Sequence, residues 1–111
     1  MNADQIRALV SSQIGDAWDT TNRHGVALRE ALVQPHRITV IERLFNEGKT
    51  KDRFVDVWLV LVENHESGTG YQVIAVQDGS SFGLATEGFA SDKHLVMCGW
   101  YGDFLTTFRA M

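Results

Sequence analysis

The sequence predicts an α+β fold, in which an antiparallel meander sheet of about five strands is flanked by an N-terminal helix and a short C-terminal helix. Apolar residues recur with a helical period near the start of the chain, and the period changes to two after Pro35. A second helical grouping follows Gly102. The length of 111 residues suits one domain, so we assign residues 1–111 to a single α+β domain.

The first helix begins at a capping signal. Asn2 can cap a helix, and Gln5 stands three residues later, which is the capping-box spacing. The polar run at 19–25 ends the helical pattern, and beyond it either a short helix across 26–33 or a loop is compatible with the sequence. The apolar stripe of the first helix consists of Ile6, Leu9, Val10, Ile14, Ala17 and Trp18.

The strands follow Pro35 and are separated by short polar segments. Asp78-Gly79 is a strong tight-turn pair and predicts a hairpin between the third and fourth strands. Short turns between successive strands favour an antiparallel meander. We place the strands at about 38–44, 54–63, 71–77, 81–86 and 94–101, and the terminal helix around Phe104, Leu105, Phe108 and Met111.

The strand at 54–63 is the most informative segment because it is apolar on both faces. Its odd positions form one aliphatic row, and its even positions form a second apolar row interrupted only by Asp56. Such a strand lies in mid-sheet with a cover on each side. We expect the row of Leu59 to face the helices of the chain, and the row of Trp58 to meet a second molecule or a ligand.

Large aromatic and apolar side chains on the predicted strands are therefore candidates for an interface or a pocket. Trp and Tyr are common interface anchors, although most large rings in a small domain belong to its core. Both roles stay open at this point. The candidates are Trp58, Val60, Val62, Tyr71 and Trp100.

Charge divides unevenly along the chain. Residues 1–53 carry eight Lys or Arg and seven Asp or Glu, whereas residues 54–111 carry two and seven, so the halves have net charges of +1 and −5. An acidic half disfavours binding to nucleic acid phosphates and favours a basic protein partner. A solvated acidic surface without a partner is the alternative.

The sequence also predicts the compartment of the protein. No apolar run approaches the roughly 18 residues that would cross a bilayer, and no signal peptide precedes the first helix. A lone Cys98 allows no internal disulfide and suits a reducing environment. We therefore expect a cytoplasmic protein that binds no membrane.

Catalytic motifs are incomplete. Ser81 lies in a G-x-S-x-G match, but this motif needs a strand-to-helix turn and the segment predicts a hairpin. His65-Glu66 begins a zinc-protease motif that lacks its second histidine at Thr69. Cys98 is expected to be a small buried apolar residue. We predict no catalytic residue, no metal site and no cofactor.

Four features of the chain together resemble a known group of proteins. They are its size, its acidity, the helix–meander–helix order and the segment Tyr101-Gly102-Asp103-Phe104-Leu105 near the end. In organisation the chain resembles the small acidic α+β orphan proteins carried on mobile, integron-type gene cassettes. Some single-domain immunity proteins, which neutralise a toxin by covering it, are similar in size and acidity. The resemblance implies a compact domain and carries no site residue.

These features predict a small, soluble, non-enzymatic interaction protein that self-associates through an apolar sheet face. We expect a homodimer, because twofold pairs are the commonest oligomers, with a basic protein as a further candidate partner. The alternative is a small-molecule-binding or hydrolytic domain with a pocket between helix and sheet. A flat apolar patch would favour the first function, and a concave site with converging polar groups the second.

Overall fold

A computed structural model describes residues 1–111, and it confirms the α+β class with a helix at each end and five strands between them. The longest dimension of the molecule is 45 Å. The elements are α1 (Ala3–Ile14), α2 (Leu28–Ala31), β1 (Leu32–Asn46), β2 (Lys49–Asn64), β3 (Thr69–Ala75), β4 (Phe82–Thr86), β5 (Leu95–Gly102) and α3 (Phe104–Arg109).

The sheet closes into a five-stranded barrel, so the predicted open meander is wrong. Successive strands are antiparallel neighbours as expected, but β5 returns to pair in parallel with β1. Two residue pairs form this seam, Val40 with Leu95 and Ile41 with Val96. Closure is possible because β1 and β2 contain 15 and 16 residues and are bent by register shifts, which increase strand twist.

The barrel separates two apolar cores. The inner core fills the barrel and consists of Val40, Val57, Leu59, Val62, Ile74 and Ala85. The outer core lies between the barrel and the helices, and its largest fully buried side chains include Ile6, Ile14, Leu28, Leu61, Phe82, Phe104 and Phe108. Both faces of β2 are therefore covered within one chain.

This arrangement reverses the expected faces of β2. Leu59 packs in the inner core, whereas Trp58 packs in the outer core beneath the helices. A register shift between Leu59 and Leu61 then places Val60 and Leu61 in the same core, so the simple alternation fails there. The closed barrel itself covers the second face of β2, so the expectation that a second molecule or a ligand covers it is wrong.

The predicted start of the first helix is confirmed, whereas its predicted end is not. The Asn2 side chain accepts the Gln5 amide at 2.9 Å and the Gln5 side chain accepts the Asn2 amide at 2.8 Å, which confirms the capping box. α1 ends at Gly15, whose φ of 60° favours glycine, so Trp18 lies beyond the helix. None of the helices is long and apolar enough to cross a membrane.

Candidate functional site

The distal part of the β1–β2 hairpin forms a two-stranded arm. Beyond Ile41, β1 has no partner other than β2, and β2 meets β3 only from Trp58 onward. The two-residue turn at Glu47 and Gly48 has φ angles of 50° and 75°, as tight hairpins require. We call residues 42–53 the arm.

Aromatic side chains gather on one face of the arm and its base. The register places Phe45, Arg43 and Phe54 on the same face. Phe45 and Phe54 are 79% and 62% exposed, and Phe89, from the β4–β5 connection, is 73% exposed with its ring 5.5 Å from the Arg43 guanidinium carbon. We call Phe45, Phe54 and Phe89 the aromatic patch. Exposed apolar patches of this kind mark interaction sites.

An ion-pair network holds the patch in place. Arg43 donates to both oxygens of Asp52, at 2.8 and 3.1 Å, and to Asp92 at 2.9 Å. The other oxygen of Asp92 accepts the Phe89 amide at 2.7 Å. Hydrogen bonds from Arg43 hold the pKa values of Asp52 and Asp92 below their usual range, and both carboxylates raise the pKa of Arg43. The network thus ties the β4–β5 connection to the arm.

A second feature is a cavity between α1 and the sheet, which we call the helix–sheet pocket. Its volume is about 240 Å³. Its apolar lining comes from α1, from the connection after α1, and from the start of β1 and the middle of β2. The lining residues are Arg7, Val10, Ser11, Trp18, Leu32, Val33, Gln34, Pro35 and Val60.

A third feature lies at one mouth of the barrel. Val55, Val57 and Trp100 line a cavity of about 320 Å³ there. The Trp100 ring lies so close to Gly83 that a Cβ added to this glycine would be 2.7 Å from Cε3 of the ring. At the rim, Arg53 donates to Glu42 at 2.7 Å. Arg53 and Glu42 are therefore paired with each other, and the third charged group of this mouth, Asp56, accepts the Thr39 hydroxyl at 2.7 Å.

A polar cleft of about 340 Å³ brings His24 to Glu63, 39 residues later in the sequence. His24 Nδ1 lies 3.0 Å from Glu63 Oε1, and Glu63 Oε2 accepts the Tyr71 amide at 2.8 Å. A carboxylate in this position can orient an imidazole for proton transfer. No hydroxyl or thiol side chain lines the cleft, so its lining offers no side-chain nucleophile of the serine or cysteine kind beside the pair.

The structure distributes the predicted candidates over several places. Trp58 is 7% exposed, with its indole N–H donating to the Gln77 carbonyl at 3.3 Å, and Val60 and Val62 are also buried. Tyr71 is half-buried, with its ring 5.8 Å from that of His24. Trp100 is 37% exposed at the barrel mouth. The structure thus leaves only Tyr71 and Trp100 partly accessible.

Sequence reasoning missed the aromatic patch. The available signal was that Phe45 and Phe54 flank the polar, charged stretch 46–53, which contains no apolar residue that could cover them. Phe89 reaches the patch only through the fold, because its loop is fixed by Arg43 and Asp92.

The residues of the incomplete catalytic motifs can also be placed. Asp78-Gly79 does form the turn between β3 and β4, so Ser81 leads into a strand rather than a helix. Cys98 is exposed, and the expectation that it is buried is wrong. Desolvation raises the pKa of the Cys98 thiol, so this thiol is not activated. No group of three or more His, Cys, Asp or Glu side chains is placed to hold a metal ion.

Comparisons with known proteins add no relative. No protein-family model, no curated protein and no solved structure matches the chain. The resemblance to gene-cassette proteins therefore stays a prediction, and function has to be inferred from the site.

Proposed function

We propose that the protein is a non-enzymatic interaction module that self-associates as a homodimer through the aromatic patch. The observation that carries this proposal is the exposure of three phenylalanine side chains, each more than 60% exposed, around one ion-paired arginine. Aromatic residues and Arg are enriched in the cores of protein interfaces. The proposed surface is the aromatic patch on the arm and at its base rather than a sheet face of the barrel, because residues 57–62 of β2 are covered on both faces.

The size of the patch suits a small dimer interface. Full burial of an aromatic side chain removes about 150–250 Å² from solvent, so three that are 62–79% exposed on each of two copies would remove roughly 600–1,100 Å². Stable interfaces bury about 1,200–2,000 Å², and neighbouring arm residues would supply the remainder. A two-stranded ribbon is also marginal when it stands alone in water, so a covering copy would stabilise the arm.

Charge favours the arm as the contact between two copies. The arm contains four basic and three acidic residues, whereas the rest of the chain contains six and eleven. Two molecules therefore repel each other most strongly through their bodies and least through their arms. The acidic body stays free in such a dimer, and we propose it as the surface for a basic protein partner.

Light scattering and sedimentation across the micromolar range test the dimer. We expect the wild type to exceed its monomer mass of 12.4 kDa as concentration rises. Phe45→Ser combined with Phe54→Ser should give a folded monomer, because both side chains are exposed and leave no cavity. Leu44→Ser is the matched control, since Leu44 is exposed on the opposite face of the arm. A wild type that stays monomeric throughout would refute the proposal.

A further inference from the structure

We infer that the helix–sheet pocket binds a small aromatic carboxylate. Five of its lining residues are hydrophobic, and two of them, Val10 and Val60, are buried. The pocket is lined by β1 residues 32–35, at the opposite end of the strand from the arm. This site is therefore independent of the proposed self-association.

The polar side chains of the pocket select the charge of the ligand. Arg7, Ser11 and Gln34 can all donate hydrogen bonds, and no acidic side chain lines the cavity. Arg7 has no acidic partner within 4 Å, although five other ion pairs form in the molecule. The side chains of Ser11 and Gln34 likewise make no hydrogen bond within the chain. Three free donors around an apolar cavity complement a carboxylate.

The wall of the pocket selects an aromatic body. Trp18 presents its ring to the cavity, and Arg29, which is paired with Asp19, lies 5.4 Å from the centre of that ring. An aromatic ring of a ligand can pack against this indole in an offset or edge-on arrangement. The volume of about 240 Å³ lies below the roughly 300–1,000 Å³ of sites for drug-sized ligands. One fused ring system with a single carboxylate is therefore the ligand class that fits.

Titration of the full chain with 2-naphthoate tests the site, with binding followed by calorimetry and by amide NMR shifts. We expect the shifts to centre on Val10, Ser11 and Val33. Arg7→Gln should weaken binding about tenfold, the effect of losing one charge-assisted hydrogen bond at an exposed position. Arg109→Gln makes the same charge change away from the pocket and should leave the affinity unchanged.

A second pair of variants tests the cavity rather than the charge. Ser11→Phe should fill the pocket from the exposed side of α1 and abolish binding, whereas Ser12→Phe, one residue outside the lining, should not. The uncharged 2-naphthalenemethanol should bind wild type and Arg7→Gln equally. Equal naphthoate affinity in Arg7→Gln and Arg109→Gln, binding that survives Ser11→Phe, or no binding of naphthoate or the smaller benzoate would overturn the inference.

Discussion

Arg43 lies between two carboxylates, and a phenyl ring lies against its guanidinium group. The side chains of Arg43 and Asp92 are mostly shielded from solvent, although they belong to the arm and to a surface connection. A charged group in this position is stabilised only while its partners stay ionised. The rigidity of the aromatic patch is thus linked to the protonation of Asp52 and Asp92.

Acid should therefore weaken the protein through these carboxylates. Because the folded-state pKa of Asp92 lies below its ordinary value of 3.8, its contribution to stability is present above that pH and is lost as the pH falls towards the lowered pKa. We expect Asp92→Asn to lower the urea midpoint at neutral pH and to flatten its fall below about pH 4. Asp19→Asn, at a highly exposed carboxylate, is the control. Parallel acid profiles for wild type and Asp92→Asn would contradict this prediction.

At the scale of elements, β2 connects both cores. Its residues 57–62 are all buried, some within the barrel and some beneath the helices. A strand covered twice by its own chain has no free face on which a substitution would be tolerated. Substitutions of large side chains on either face of this segment should therefore lower the stability of the monomer.

We expect Trp58→Ala and Leu59→Ala both to destabilise the monomer. Removing a large buried side chain typically costs about 3–5 kcal/mol for Trp and 2–5 kcal/mol for Leu. Denaturant midpoints measured at a low protein concentration, where the monomer predominates, should fall strongly for both variants, and the fall relative to wild type should persist at higher concentrations. At that low concentration Phe45→Ala serves as the exposed control and should change the stability of the monomer by less than about 0.5 kcal/mol. A Trp58→Ala monomer as stable as wild type would refute the assignment of Trp58 to the outer core.

A pair of glycines tests how closely β4 and β5 approach. A Cβ at Gly83 would overlap the Gly99 carbonyl oxygen and the Trp100 ring, whereas a Cβ at Gly99 would meet only Tyr101 atoms, at 3.5 Å or more. We expect Gly83→Ala to lower the unfolding free energy by about 1–3 kcal/mol, as overpacking does, and to displace Trp100. Gly99→Ala should be nearly neutral. Chemical denaturation with tryptophan fluorescence as readout compares the two, and equal stabilities would contradict the prediction.

Elements specified by local signals were predictable from the sequence. The capping box at Asn2, the turn at Asp78-Gly79 and the terminal helix after Gly102 depend on neighbouring residues, and all are present. The register shift near Leu61 and the seam between β1 and β5 depend on residues far apart in sequence. The burial of Trp58 and the position of Phe89 beside Arg43 likewise depend on residues far apart in sequence.

On the scale of the whole molecule, the long axis and the charge distribution have the same direction: the net positive arm lies at one end, and the remainder of the chain is net negative. The 45 Å long axis approaches the roughly 50 Å that a straight 16-residue strand would span, and the net positive arm forms one end of that strand. The acidic residues that outnumber basic ones lie in the rest of the chain. Two copies joined by their arms would keep their acidic bodies apart.

Salt should therefore strengthen self-association. Screening shortens the range of charge interactions from about 30 Å at 0.01 M to about 8 Å at 0.15 M, which reduces repulsion between two acidic bodies without weakening apolar contacts. We expect the dimer dissociation constant to fall severalfold over this range, as measured by sedimentation. A dissociation constant that rises with salt would indicate instead that the arm binds the acidic body of a second copy.

We expect the seam of the barrel to form late in folding. Local hairpins can join β1 through β4, and β5 can add to β4, before Val40 and Leu95 meet. Contacts between residues far apart in sequence have the largest entropic cost of loop closure, and the two residue pairs of the seam offset only a small part of that cost. The last step of folding is then the curling of a formed sheet until its edges touch. The same two pairs are the shortest ladder of the barrel, and their separation would admit water to the inner core.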